Sequence, residues 1–134
     1  MQGQNALLKL NNYKVETLEY KLNPSFKQTD NQLQMPFAYS SQIIDVDDDN
    51  FTVQLAAKIS NENFPFEVNV IVSGDFFCER WEELNTKKDV ELTVNQILFP
   101  YVRALISNIT SAAGVNPIIL PIINVAELLK DNKR

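Results

Sequence analysis

The stretch NQILFPYVRALISNITSAAGVNPIILPIIN, running from Asn95 to Asn124, decides the reading of this chain. Leu98, Val102, Leu105, Ile106 and Ile109 recur at spacings of four, three, one and three, the stripe of a half-buried helix. Gly114 closes that helix, because glycine tolerates the left-handed conformation of a helix stop. Pro117 and Pro121 make Ile118, Ile119 and Leu120 an extended segment rather than a second helix. Pro100 lies inside the helical pattern, so the helix either starts there or kinks there. Asn95 is accordingly a cap of a late-starting helix or an early residue of a bent one.

Outward from this stretch, strand periodicity dominates. Leu18, Tyr20 and Leu22 alternate with Glu19 and Lys21 between Tyr13 and Leu22, after a loose or edge-strand lead-in over residues 1–10. Asn23-Pro24 breaks this strand, and residues 23–35 read as a long connection. Pro36 to Val46 resumes strand composition, and the acidic run Asp45–Asn50 turns the chain. Phe51, Val53, Leu55, Ala57 and Ile59 alternate with Thr52, Gln54, Ala56 and Lys58, the clearest half-buried strand. After the Ser60–Asn63 turn, Phe64, Phe66, Val68, Val70 and Val72 form a fourth strand, ended by Ser73-Gly74. Short turns between strands predict an antiparallel meander. A main helix around Leu92–Ala113 follows, then a short one around Val125–Lys130. Strands first and helices afterwards predict an α+β fold, a four-stranded antiparallel sheet backed by a long helix, in a single domain over 1–134.

Several function classes are disfavoured. The chain has 134 residues and a net charge of −5, which suits neither nucleic acid nor an anionic membrane surface. One cysteine, Cys78, forms no intrachain disulfide and reads as a buried or half-buried thiol beside Phe76 and Phe77. The start, MQGQNALLKLNNYK, lacks the basic and apolar regions of a signal peptide, and no run approaches the roughly 18 apolar residues of a membrane span. The expected location is cytoplasmic, without membrane insertion. With no histidine, the usual physiological-pH base and commonest metal ligand are missing. Glu82 and Glu83 read as surface charge, and three glycines cannot build a phosphate loop. No enzyme, catalytic residue or cofactor is expected. The acidic turn Asp45, Asp47, Asp48, Asp49 fails the helix-loop-helix calcium pattern. Asn50 stands where the turn glycine is needed and Ala56 where the bidentate glutamate belongs, so no metal is expected.

The apolar set around the long connection carries more information. Phe26, Leu33, Met35 and Phe37 lie in or beside it, Phe64 and Phe66 open the fourth strand, and Val115, Ile118 and Ile119 follow the main helix. Large apolar groups in loops point to an exposed interaction patch, and Met35 adds an adaptable surface.

LFPY and R at Leu98–Arg103, ISN at Ile106–Asn108 and PIILPIIN at Pro117–Asn124 resemble the C-terminal half of the SecB family, tetrameric cytosolic chaperones that hold unfolded preproteins for the secretion motor SecA. The resemblance implies an ATP-independent holdase whose crossover after the first strand lies over the sheet. It implies a client groove at Phe26, Leu33, Met35, Phe37, Phe64, Phe66, Val115, Ile118 and Ile119. It also implies a dimer of dimers paired through the long helices, with Arg103, Ser107 and Thr110 as contacts. The partners would be unfolded polypeptides or preproteins and SecA. The surface matching the SecA-docking face departs from the family pattern. It reads Thr17 and Lys21 in the first strand and Glu67 and Asn69 in the fourth, with Glu16 and Glu19 available if the register shifts by one. The family's crossover tryptophan is replaced as well, Gln34 and Met35 preceding Pro36. Two alternatives stand beside the holdase: a dedicated-client chaperone, as of a toxin–antitoxin pair, and a non-chaperone assembly module with a self-filled groove.

Overall fold

The computed structural model describes residues 8–26, 35–79 and 87–114, with helical side chains from Val90 onward. Four strands, β1 (Leu8–Leu22), β2 (Phe37–Asp47), β3 (Asn50–Ile59) and β4 (Phe66–Cys78), precede one helix, α1 (Lys87–Ala112). The expected Leu33, the run Val115–Asn124, Trp81 and the short C-terminal helix lie outside the described residues.

The strands form one antiparallel sheet in the order β1-β4-β3-β2. β2, β3 and β4 are the predicted meander. β1 departs from it, crossing to pair with β4 on the far side, from Leu8↔Cys78 to Leu22↔Phe66. It is an edge strand, and it starts five positions before the Tyr13–Leu22 periodicity. Two bulges explain why that periodicity fades upstream. They lie between Leu10 and Asn12 and between Val15 and Thr17. Each inserts a residue and resets which parity faces the helix. The helix-side residues are therefore Leu8 and Leu10, then Tyr13 and Val15, then Leu18, Tyr20 and Leu22.

The core lies between sheet and helix. Phe51, Val53, Leu55, Ala57 and Ile59 of β3 are all buried, as the alternation predicts, and oppose Phe76, Val72, Val70 and Val68 of β4. Phe51 and Phe76 pair with ring centroids 5.8 Å apart. From α1, Val94, Leu98, Val102 and Ile106 enter this core fully buried, while Leu105 and Ile109 are half-buried. Each such aliphatic group contributes roughly 1.5–3 kcal/mol of transfer free energy.

Both ends of β4 and the start of the helix differ from the predicted boundaries. β4 begins at Phe66, with Phe64 in the preceding turn, and does not end at Gly74 but runs through it to Cys78. A Cβ at Gly74 would lie 3.0 Å from Leu98 and 3.2 Å from Leu10, so this glycine lets the helix approach the sheet rather than ending the strand. The helix begins at Lys87, not Leu92, and passes through Pro100 without ending. Pro100 and Gln96 are both exposed, so the carbonyl that Pro100 leaves without its N–H faces water. Of the two readings of Asn95 the cap is excluded: it lies inside the earlier-starting helix that also contains Pro100, and it is fully buried. Gly114 does stop the helix, at a φ of 83°.

Asp48 and Asp49 make the β2–β3 turn, and Asp48 adopts a φ of 55°. Aspartate tolerates this conformation better than most residues. Among the described residues no group of three metal-ligating side chains converges.

Candidate client-binding surface and outer sheet face

The end of β1, the start of β4, the end of β3 and the start of β2 lie side by side along one end of the sheet, with β1 and β2 at its opposite edges. Leu22 pairs with Phe66, and Phe37 pairs with Ile59, beside Val68. The described flanks of the connection, Asn23–Phe26 and Met35–Pro36, sit beside the β3–β4 turn, Asn23 donating its N–H to the Pro65 carbonyl and Pro36 accepting the Ser60 N–H. Phe26, Met35 and Phe37 are half-buried, and Met35 and Phe37 pack against the core. Phe37 lies edge-on to Phe99 at 6.5 Å.

Phe64 and Phe66 are buried more deeply than open groove walls would be. They keep 7% and 4% of their surface and meet edge-to-face at 5.1 Å. Phe66 nevertheless lines a cleft of about 240 Å³ with Leu22, Asn23, Pro24, Ser60 and Glu62. Leu22 is 64% exposed at this cleft.

Sequence reasoning treated Asn23 only as a strand break, yet it holds this end together. Its side-chain amide donates to the carbonyls of Glu62 at 3.1 Å and Phe64 at 2.8 Å. Its Oδ1 accepts the Ser25 N–H at 3.1 Å. Its backbone N–H donates to Pro65 at 2.9 Å, and its carbonyl accepts the Phe26 N–H at 3.2 Å. Asn-Pro could have signalled an Asx turn, but not the partner across the sheet.

A second feature went unread. The helix lies over β3 and β4, leaving the helix-side face of β1 partly uncovered. Val15 and Leu18 are 42% and 39% exposed. Tyr13 stacks on Tyr101 of α1 at 4.3 Å, and burial, then the Tyr101 hydroxyl, raises the Tyr13 pKa.

The opposite sheet face holds the predicted partner surface. Thr17, Glu19 and Lys21 alternate onto it, facing Ile71, Asn69 and Glu67. The bulge at Val15/Thr17 adds Glu16 to the same face, where it accepts the Gln54 amide at 3.2 Å. Asn69 donates to Glu19 at 3.3 Å. Lys9, Lys14, Lys21 and Lys58 thus share this face with Glu16, Glu19, Glu67, Asp75 and, through its pairing with Asn50, Asp47, a near balance of charge.

Of the predicted oligomer contacts, Arg103 and Ser107 are half-buried on α1. Thr110 is a correction: it is fully buried within the chain, and its hydroxyl donates back to the Ile106 carbonyl at 2.8 Å. One helical turn beyond Ile106, it continues the core stripe and offers no surface.

Deep burial also shapes two other polar groups. Tyr39 donates to Asn95 Oδ1 at 2.6 Å, and burial raises its pKa far above 10.0. Cys78 is buried, with its thiol pushed up by burial and by Asp49. A protonated buried thiol is a poor nucleophile.

Comparison with known proteins agrees with this architecture. The family described as preprotein translocase subunit SecB matches residues 10–134. An uncharacterised protein of Methanocaldococcus jannaschii is 33% identical over 130 residues, covering 91% of this chain and 82% of that one. The protein-export protein SecB of Orientia tsutsugamushi is 29% identical over 90 residues, 65% of this chain and 56% of that one. That of Neisseria gonorrhoeae is 35% identical over 77 residues, 58% and 52% of the two. The chain thus spans little more than half the length of these SecB relatives. Among solved structures, a Mycobacterium tuberculosis SecB-like chaperone in complex with a peptide from the HigA1 antitoxin superposes with a TM-score of 0.67. It is 15% identical and covers 87% of this chain and 90% of that one. A Streptococcus agalactiae protein of unknown function superposes at 0.56, also at 15% identity, covering 88% and 99%. Matched by the family's own pattern from within β1 to its last residue, this chain belongs to the SecB family.

Proposed function

We propose that this protein is an ATP-independent chaperone that holds non-native polypeptide segments at the crossover end of its sheet. The observation that carries this reading is the cleft beside Phe66 with the exposed Leu22 on its rim, flanked at the same end of the sheet by half-buried Phe26 after β1 and half-buried Met35 and Phe37 at the start of β2. Apolar burial binds many sequences without a strict motif, as a client-holding surface requires. Leu33, Val115, Ile118 and Ile119 complete the proposed client-binding set. No catalytic step or cofactor belongs to this reading, and the location is proposed as cytoplasmic.

The protein works in this reading as a homo-oligomer, a dimer of dimers. The outer edge of β1, unpaired among the described residues, and the exposed Val15, Leu18 and Tyr101 favour subunit contact, and Arg103 and Ser107 supply polar contacts on α1. Several modest grooves then act together on one extended client.

The downstream partner is read from the outer sheet face. Its nearly balanced charge gives little long-range attraction to a basic docking surface such as that implied for SecA. This favours, as a second reading, a chaperone with a dedicated client, such as an antitoxin segment. The M. tuberculosis SecB-like chaperone carries such a peptide.

The test is light scattering of a chemically unfolded, aggregation-prone protein diluted into nucleotide-free buffer. Suppression near stoichiometry is expected, and it should be lost in F26S/M35S/F37S. Undiminished aggregation in the presence of folded, oligomeric wild type defeats the holdase reading and leaves a non-chaperone assembly module.

A further inference from the structure

We infer that Asn23 is a positioning residue that sets the separation of the two walls of the client surface, an inference that rests on the client-binding reading above. One wall is the crossover flank, Leu22–Phe26, and the other is the β3–β4 turn leading into Phe64 and Phe66. The cleft of about 240 Å³ lies between them, lined by Leu22 and Pro24 on one side and Ser60 and Glu62 on the other. Asn23 is itself part of the lining and bonds to both sides. Toward the turn, its amide reaches the Glu62 and Phe64 carbonyls, and its N–H reaches the Pro65 carbonyl. Toward the crossover, its Oδ1 and carbonyl hold the Ser25 and Phe26 amides.

The side chain divides these duties between its two ends. The carbonyl end forms the Asx turn that directs the crossover off β1, and the amide end ties that turn to β4. Only asparagine among short side chains offers an acceptor and two donors at once. Aspartate keeps the acceptor but presents a carboxylate to two carbonyls, breaking the side-chain tether while preserving the turn and the backbone bond to Pro65. Without the tether, Phe26 and the cleft samples a range of separations, and a client binds only the fraction with the productive one.

The experiment compares wild type, N23A and N23D for binding of fluorescently labelled, reduced and carboxymethylated lactalbumin, a permanently unfolded chain. Binding is measured at a temperature where circular dichroism shows each protein folded. We expect both variants to bind about tenfold more weakly, mainly through faster release. A merely structural residue would lower Tm and leave the release rate of the folded protein unchanged. Wild-type affinity in N23D overturns the tether role, even if N23A is weakened. Absence of binding by wild type defeats the client reading itself, and with it this role for Asn23. Native-state hydrogen exchange on wild type needs no variant. The Asn23, Ser25, Phe26 and Phe64 amides should exchange as one unit, and independent exchange of the Phe26 and Phe64 amides overturns the inference.

Discussion

The hydrogen bond from Tyr39 to Asn95 Oδ1 ties edge strand β2 to the helix, and its removal should be measurable. At 2.6 Å, with Tyr39 3% exposed and Asn95 fully buried, both partners are cut off from water. Y39F keeps the ring contact with Phe99 at 5.4 Å but strands a buried carbonyl oxygen, which costs about 1–3 kcal/mol. N95A strands the Tyr39 hydroxyl, frees the Glu91 carbonyl from the amide bond at 2.8 Å, and leaves a void. Its expected cost is larger, about 2–4 kcal/mol. The double variant strands neither side of the pair, so its loss should fall short of the sum by about 1–2 kcal/mol. Urea unfolding followed by far-ultraviolet circular dichroism measures the cycle, with all samples at one protein concentration so that the proposed subunit association would contribute equally. A coupling energy within about 0.3 kcal/mol of zero would refute the argument that this pair is a buried, directly bonded unit.

Three further outcomes follow from the same geometry. G74A should destabilise by about 1–3 kcal/mol in thermal or urea unfolding, because its methyl meets Leu98 at 3.0 Å. Combining it with L98A should recover part of that loss, and strict additivity would argue against the contact. Stability should fall as pH rises above 10.0, since the folded state holds Tyr39 protonated while the unfolded chain ionises there. Tyr39 alone accounts for a slope of about 1.4 kcal/mol per pH unit, which Y39F should remove from the alkaline limb of a pH–stability curve. Finally, L18S/L22S should change Tm little, since both side chains are exposed, while lowering oligomer mass in sedimentation or client affinity. A large drop in Tm with unchanged assembly and binding would place them in the core instead.

How far the sequence could be read depended on whether a pattern was local. The alternation Phe51–Ile59 identified β3 and its buried face, because a strand inside a two-layer core repeats every second residue. The stripe Leu98–Val102–Ile106 located the helix face for the corresponding reason, at its own period. β1 was less legible, since its partner lies more than forty residues away and its two bulges scramble the parity that periodicity relies on. Gly74 read as a stop because a glycine's local signal is the same whether it ends a strand or makes room for a neighbour. Asn95 was read only for its place at a helix start and Thr110 as a contact between subunits, when each had its bonding satisfied inside the core. At the candidate site, the apolar residues of the crossover were visible in the sequence. The bonds of Asn23 to the β3–β4 turn were not, as they join residues about forty positions apart.

The bulges of β1 also bear on a hazard that any sticky sheet edge carries. A long unpaired strand flanked by apolar side chains is a template for runaway fibre growth. Here the edge is not one template but three short ones, Leu8–Leu10, Asn12–Val15 and Thr17–Leu22, offset by the inserted residues. A straight strand arriving from a random unfolded chain can zip only within one of them before its register fails. A partner carrying matching irregularities, such as a second copy, can follow the edge much further. The same two residues that blur the sequence pattern thus act as a lock against indiscriminate polymerisation, leaving the edge open to a correctly notched key.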